Sequence, residues 1–165
     1  MKLRQLEFKD APLMLEWMHD ESVVENLSAN FASKKIEDCM AFVEASKKDE
    51  ANLNLAIVDE NDEYMGTVSL KHIDKENKNA EFAIALRTCA MGKGYSKYGM
   101  AEIIRIGLKD MGLDEVYWCV SPANKRAVRF YDKNEYARVP HNEIKCVGYT
   151  PEQIKEFIWY SAKKI

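Results

Sequence analysis

Apolar residues change period several times along the chain, and each change marks an element. Over Lys2 to Phe8, Leu3, Leu6 and Phe8 alternate imperfectly with Arg4 and Glu7, which predicts a first strand. Asp10 and Pro12 form a helix start, and Leu13, Leu15, Trp17 and Met18 give a short helix over Ala11 to His19. Glu21 to Phe31 is irregular. Ser33 reads as the cap of a helix over Lys34 to Lys48, in which Ile36, Met40 and Val43 recur at helical spacing. Asn52 to Val58 places Leu53, Leu55 and Ile57 on one face of a strand. After a polar turn, Tyr64 to Ile73 returns with Met65, Thr67, Ser69 and Lys71 on one side, so the pair reads as a hairpin. A charged turn leads to a strand over Asn79 to Leu86, and three antiparallel strands thus precede a glycine-bearing loop.

The pattern then switches. Ser96 to Met111 reads as an amphipathic helix stopped by Gly112, and Glu115 to Val120 is the near-continuous apolar run of a central strand. Strand, crossover helix and strand predict a parallel neighbour pair. Ser121-Pro122-Ala123 breaks that strand, Asn124 starts a helix over Lys125 to Lys133, and Tyr136 to Val139 reads as a strand. His141 to Gly148 has no clear pattern. Thr150 to Gln153 has a helix-start signature, so Pro151 to Lys155 is assigned a turn or short helix before a last strand in Glu156 to Ser161. The expectation is a single α/β (α+β) domain over residues 1–165. Its sheet would be mixed and mostly antiparallel, of about six to seven strands with about four helices.

Composition narrows the function. The 165 residues fit one domain, and 24 Lys plus Arg against 27 Asp plus Glu leave a net charge of −3. That balance argues for no nucleic-acid partner and no membrane surface. No apolar run approaches the roughly 20 residues of a membrane span, and the first residues lack the apolar stretch of a secretion signal. Cys39, Cys89, Cys119 and Cys146 are far apart, which leaves zinc and redox motifs unsupported and predicts buried reduced thiols in a cytoplasmic protein without a metal.

The chemistry concentrates in Cys89 to Met100, between a strand and a helix. A helix start offers unpaired N–H groups and the positive end of the macrodipole, a ready anion site. The string required of a nucleotide P-loop is absent, and Gly92-Lys93-Gly94-Tyr95-Ser96-Lys97 lacks the third glycine of a dinucleotide fingerprint. Met91-Gly92-Lys93-Gly94-Tyr95-Ser96 fits a third pattern, Gln/Arg-x-x-Gly-x-Gly/Ala, with Met first and Ser last. A second motif follows in Asn124-Lys-Arg-Ala-Val-Arg-Phe-Tyr-Asp-Lys-Asn-Glu-Tyr136, where Asn124, Ala127 and Tyr131 share one helix face.

Together and in this order, the two motifs resemble the GNAT superfamily of acetyl-CoA-dependent N-acetyltransferases, over roughly Leu3 to Val139. The trailing Phe157 to Ser161 is similar to the final strand of its ribosomal-protein and amine acetyltransferase branch. Glu135 stands where the family signature has glycine. The resemblance implies a sheet whose central parallel pair splays around the cofactor. It implies that Ile84, Ala85 and Leu86 present backbone groups to the acetyl carbonyl and pantetheine arm, and that Met91, Gly92, Lys93, Gly94, Tyr95 and Ser96 donate backbone N–H groups to the pyrophosphate. Met91 brings no cation, so Lys93 or Lys97 would supply one. Asn124 would bond the pantetheine arm, or cap its helix, or both, and Ala127 would leave room. Tyr131 would protonate the departing thiolate. Glu81 is the candidate base, directly or through water, with His72 as a second. Trp17, Asn30 and Phe31 are candidates for an acceptor pocket. The implied activity is acetyl transfer to a primary amine, a small molecule or a peptide N-terminus, by a chain that could form a homodimer. The rivals are a CoA-binding sensor or scaffold without turnover and a nucleotide-binding module.

Overall fold

The computed structural model describes residues 1–25, 27, 29–145 and 148–165. Among them, strands β1 (Lys2–Gln5), β2 (Leu53–Val58), β3 (Tyr64–Asp74), β4 (Asn79–Leu86), β5 (Glu115–Val120), β6 (Ala137–Arg138) and β7 (Ile158–Lys163) form one sheet. Its order is β1-β2-β3-β4-β5-β7-β6, antiparallel except between β4 and β5. The helices are α1 (Ala11–Met18), α2 (Glu21–Val24), α3 (Ile36–Ser46), α4 (Tyr95–Arg105), α5 (Lys125–Lys133) and α6 (Pro151–Glu156). No helix among the described residues is long and apolar enough to cross a membrane.

Each face of the sheet carries its own core. On one face Met100, Ile103 and Ile104 of α4 pack with Val68, Leu70 and Phe82, and the α5 residues Val128 and Tyr131 join from the side. On the other, Met14 and Trp17 of α1 and Val43 of α3 pack on Ala56, Val58 and Tyr64. β2 therefore reads as a nearly continuous apolar run because both of its faces are covered. Met65 departs from the simple alternation. It packs on the α4 side with Val68, not with Thr67 and Ser69, because the register slips between Ile57 and Val58.

Several expected boundaries move for local reasons. Glu21–Val24 forms a short helix, its first turn held by the Asp20 carboxylate, which accepts from Ser22 N at 3.1 Å. α3 is capped by Asp38, whose carboxylate accepts from Lys35 N at 2.8 Å, in place of the expected Ser33. α4 ends at Arg105 and continues as a π-helical turn over Ile106–Asp110. Among the cysteines, Cys39 is buried as expected whereas Cys89 is exposed, and Cys146 lies outside the described residues.

Two arginines tie the connections to this frame. Arg4 of β1 donates twice to Asp10, each bond 2.8 Å, and through Nε to Asp62 in the β2–β3 turn at 2.8 Å. Asp62 also takes the Lys9 ammonium. Arg87, buried just after β4, donates to Glu16 of α1 at 3.0 Å, to Glu63 at 3.2 Å and to the Tyr64 carbonyl at 3.0 Å. The chain leaving β4 is thus fixed to α1 and β3 before it turns into the glycine loop.

Two predictions follow from these contacts. The Lys9 and Arg4 partners pull the Asp62 carboxyl from 3.8 to about 2. A depressed carboxyl stabilises the fold above its unfolded value, and that stabilisation is lost as pH falls through the folded one. Asp62→Asn should therefore lower the thermal midpoint at pH 7, and the gap from wild type should narrow as pH drops below 3.8 toward about 2. Secondly, Glu135 closes α5 with φ +61 while Tyr136 N bonds the Tyr131 carbonyl at 3.1 Å. A left-handed non-glycine residue is strained by about 1 kcal/mol. Glu135→Gly should raise the midpoint of thermal unfolding by about 2–4 °C.

Candidate active site

The ladder between β4 and β5 is short. Asn79, Ala80 and Glu81 pair with Glu115, Val116 and Tyr117, and there it stops. β4 runs on to Leu86 bonded to β3, and β5 runs on to Val120 bonded to β7. The inner edges of Phe82 to Leu86 and Trp118 to Val120 are therefore unpaired with each other, and a crevice opens beyond Glu81. Ile84, Ala85 and Leu86 lie along it, with their inner main-chain edge unpaired to β5.

At the outer end of β4 the glycine loop enters α4. Gly94 stands before the helix with φ +89, a conformation glycine adopts without strain. The N–H groups of Tyr95, Ser96 and Lys97 occupy the first turn, where a helix offers no internal acceptor. Tyr95 is buried in the α4-side core and anchors the turn, while Gly92, Lys93 and Gly94 are exposed. Lys93 and Lys97 are exposed and make no ion pair among the described residues. Met91 packs against the core of α1 and α3, which accounts for an apolar residue at this loop position.

On the α4 side, β5 and α5 meet over aromatic rings. Trp118 packs on Phe82 at 5.8 Å, Tyr131 at 5.6 Å, Tyr136 at 5.1 Å and Tyr160 at 6.0 Å between centroids. Asn124 caps α5 by accepting from Ala127 N at 3.3 Å. Burial among these rings pushes the Tyr131 phenol well above its ordinary range, so it holds its proton at neutral pH. The buried Trp118 Nε1 has no hydrogen-bond partner among the described residues.

The opposite face carries the carboxylate. Glu81 is buried at the point where the strands part. Its Oε1 accepts from the Tyr149 hydroxyl at 2.6 Å, and His72 Nε2 stands 3.8 Å from Oε2. Tyr149 rests edge-on against Trp159 at 5.1 Å, and burial, then the bond to Glu81, raises its phenol far above the usual value. His72 sits on an irregularity of β3 with φ +50, an uncommon conformation for its residue type. Glu81 and His72, the two alternative base candidates, are thus neighbours, whereas Tyr131 lies on the far face of the sheet.

Beside Ala83, Ile84 and Ala85, a cavity of about 410 Å³ opens between the sheet and α1 and α3. Trp17 and Phe31 line it, edge to face at 5.1 Å; Asn30 is exposed and does not line it. The size and the aromatic walls suit a small ligand. Sequence reasoning missed three residues. Arg87 carried a signal, a charge placed directly after an apolar strand. Trp118 read as ordinary core. Tyr149 lies in the stretch without pattern, and nothing local marks it.

Comparison with known proteins adds the family. The acetyltransferase (GNAT) domain model matches residues 1–136. Among solved structures, the chain is similar to the spermidine N-acetyltransferase of Vibrio cholerae in complex with CoA and spermine, at 18% identity, TM-score 0.77, and coverage of 97% of this chain and 92% of that one. It is also similar to a chimera of that enzyme with hSSAT, at 18% identity, TM-score 0.78, and coverage of 98% and 94%. A search of curated proteins gave no match. The glycine loop before α4, the parted strands and the match across most of the length place the chain in one family: it belongs to the GNAT acetyltransferases and is an acetyl-CoA-dependent N-acetyltransferase.

Proposed function

We propose that the chain moves the acetyl group of acetyl-CoA to a primary amine by direct attack with both substrates bound. The observation that carries this reading is the crevice beyond Glu81. A protonated phenol borders its α4 side and a buried carboxylate borders the other, next to a cavity large enough for a small acceptor. The residues fit the coenzyme. First-turn N–H groups after Gly94 suit a pyrophosphate, and Lys93 and Lys97 add charge. The free edge of Ile84 to Leu86 suits an amide-bearing arm, and the buried Trp118 Nε1 is a donor that a ligand acceptor would satisfy. Bound there, acetyl-CoA supplies an activated acyl group with a thiolate as leaving group.

The chain's own groups then manage protons and position. Glu81 takes the proton of the attacking amine, directly or through a water, and His72 is close enough to share it. Tyr149 holds the Glu81 carboxylate in one orientation. Tyr131 gives its proton to the sulfur as the bond to carbon breaks, a role that fits a phenol which stays protonated. Asn124 has its oxygen committed to the α5 cap, which leaves its amide N–H₂ for the coenzyme arm, and the small Ala127 leaves space beside it. The Vibrio cholerae structure that holds CoA and spermine supports a small amine as acceptor.

Three variants test the assignment through CoA-release kinetics and calorimetric titration with CoA. Tyr131→Phe and Glu81→Gln should each lower kcat by about 10²-fold or more while CoA still binds. Unchanged turnover in either would remove that residue's role. Gly94→Val should abolish CoA binding, because the loop needs φ +89; wild-type affinity would place the pyrophosphate elsewhere.

A further inference from the structure

The cavity beside β4 has a charge pattern that a polyamine would not favour. Its walls are apolar and aromatic, with Met14, Trp17, Phe31 and Phe42 among them. Its polar floor is already paired within itself: Ser69 donates to Asn54 at 2.6 Å, and Thr67 shares a 2.6 Å bond with Tyr64. Among the described residues its charged lining is two lysines, Lys34 and Lys71, against one aspartate, Asp38. Asp38 is committed to the α3 cap through Lys35 N. Both lysines are exposed, and neither makes an ion pair among the described residues. Lys71 lies directly across from Glu81 in the β3–β4 register, yet Glu81 is held by Tyr149 and not by this lysine.

These features decide between acceptor types. A polyamine brings several ammonium groups into the cavity, and each would need a carboxylate or water to offset its desolvation. The lining offers one carboxylate and adds two cations. An acceptor with a compact ring or apolar body would fill the walls, and a negative group on it would meet the lysines at charge-assisted distance. Resting on the acetyl-transfer reading above, we infer that the acceptor is an anionic amine, a primary amine on a ring body that also carries a carboxylate or a phosphate.

The test is a panel of initial rates with the purified chain and acetyl-CoA. Phenethylamine is compared with phenylalanine, glucosamine with glucosamine 6-phosphate, and both pairs with spermidine. The expected result is a kcat/KM about tenfold higher for the member that carries the added carboxylate or phosphate than for its counterpart without it, with spermidine poorest. Whichever pair responds identifies carboxylate or phosphate. In a Lys34→Gln/Lys71→Gln double variant that preference should collapse while the KM for acetyl-CoA stays the same. Preference for spermidine, equal rates within both pairs, or a preference that survives the double variant would overturn the inference and leave acetyl transfer standing. Transfer to no amine at all, with CoA still bound, would remove the acetyl-transfer reading and this inference with it.

Discussion

Everything at the site depends on β4 and β5 parting after three paired residues. A full parallel ladder would satisfy the inner edges of both strands and leave no place for a ligand between them. Here each strand is kept extended by its outer neighbour, β3 on one side and β7 on the other, so the inner edges remain straight and free. Trp118 is the bulk that accompanies the separation. It follows the last paired residue of β5, is fully buried, and packs against Phe82 of β4 on one side and Tyr131 and Tyr160 on the other. Truncating such a ring leaves a cavity and costs about 3–5 kcal/mol. The same ring that fills the core beneath the gap therefore sets the position of the phenol beside it.

A gap in a sheet needs its ends held, and charge does this where apolar packing cannot. The chain leaving β4 must turn at once into the glycine loop, and loops expose backbone that packs poorly. Arg87 solves this with a planar fork that reaches three acceptors, on α1, on the β2–β3 turn and on β3. Lysine, with a single charged nitrogen, would not bridge them in the same way. Arg4 does the equivalent at the far edge, where Asp10 and Asp62 bind β1, the start of α1 and the β2–β3 turn together. Both clamps lie on the α1–α3 side and so fix the wall of the cavity as well as the strand.

Much of this was legible in the residues, and the rest was hidden for identifiable reasons. The order of strands around the glycine loop and the parallel pair follow from period changes in apolar residues. The role of Asn124 as a helix start follows from local backbone chemistry, and it stands where that chemistry put it, while α4 begins at Tyr95 after Gly94, one residue before the expected Ser96. What failed was non-local. Ser33 looked like a cap, but the cap came from Asp38 reaching back to Lys35. Met65 looked like a partner of Thr67, but a slip in register rotated it to the other core. Glu135, which stands where the family signature has glycine, takes the left-handed turn that ends α5 itself. Tyr149 is 68 positions from Glu81 in sequence, and no period or spacing links a residue in an irregular segment to a carboxylate on a central strand.

The placement of Tyr131 and Glu81 on opposite faces of the sheet is itself informative. Two proton-bearing groups in direct contact would exchange protons with each other and titrate as a pair. Separated by the strands, each is governed by its own surroundings. Aromatic rings surround Tyr131, and its burial among them, with the nearby Tyr160 and Tyr136 phenols, holds it protonated. Glu81 lies among polar partners, with Tyr149 donating to one oxygen and His72 near the other. The proposed transfer, which removes a proton on one side and delivers one on the other, is consistent with this division, because the crevice between the parted strands lies between the two faces.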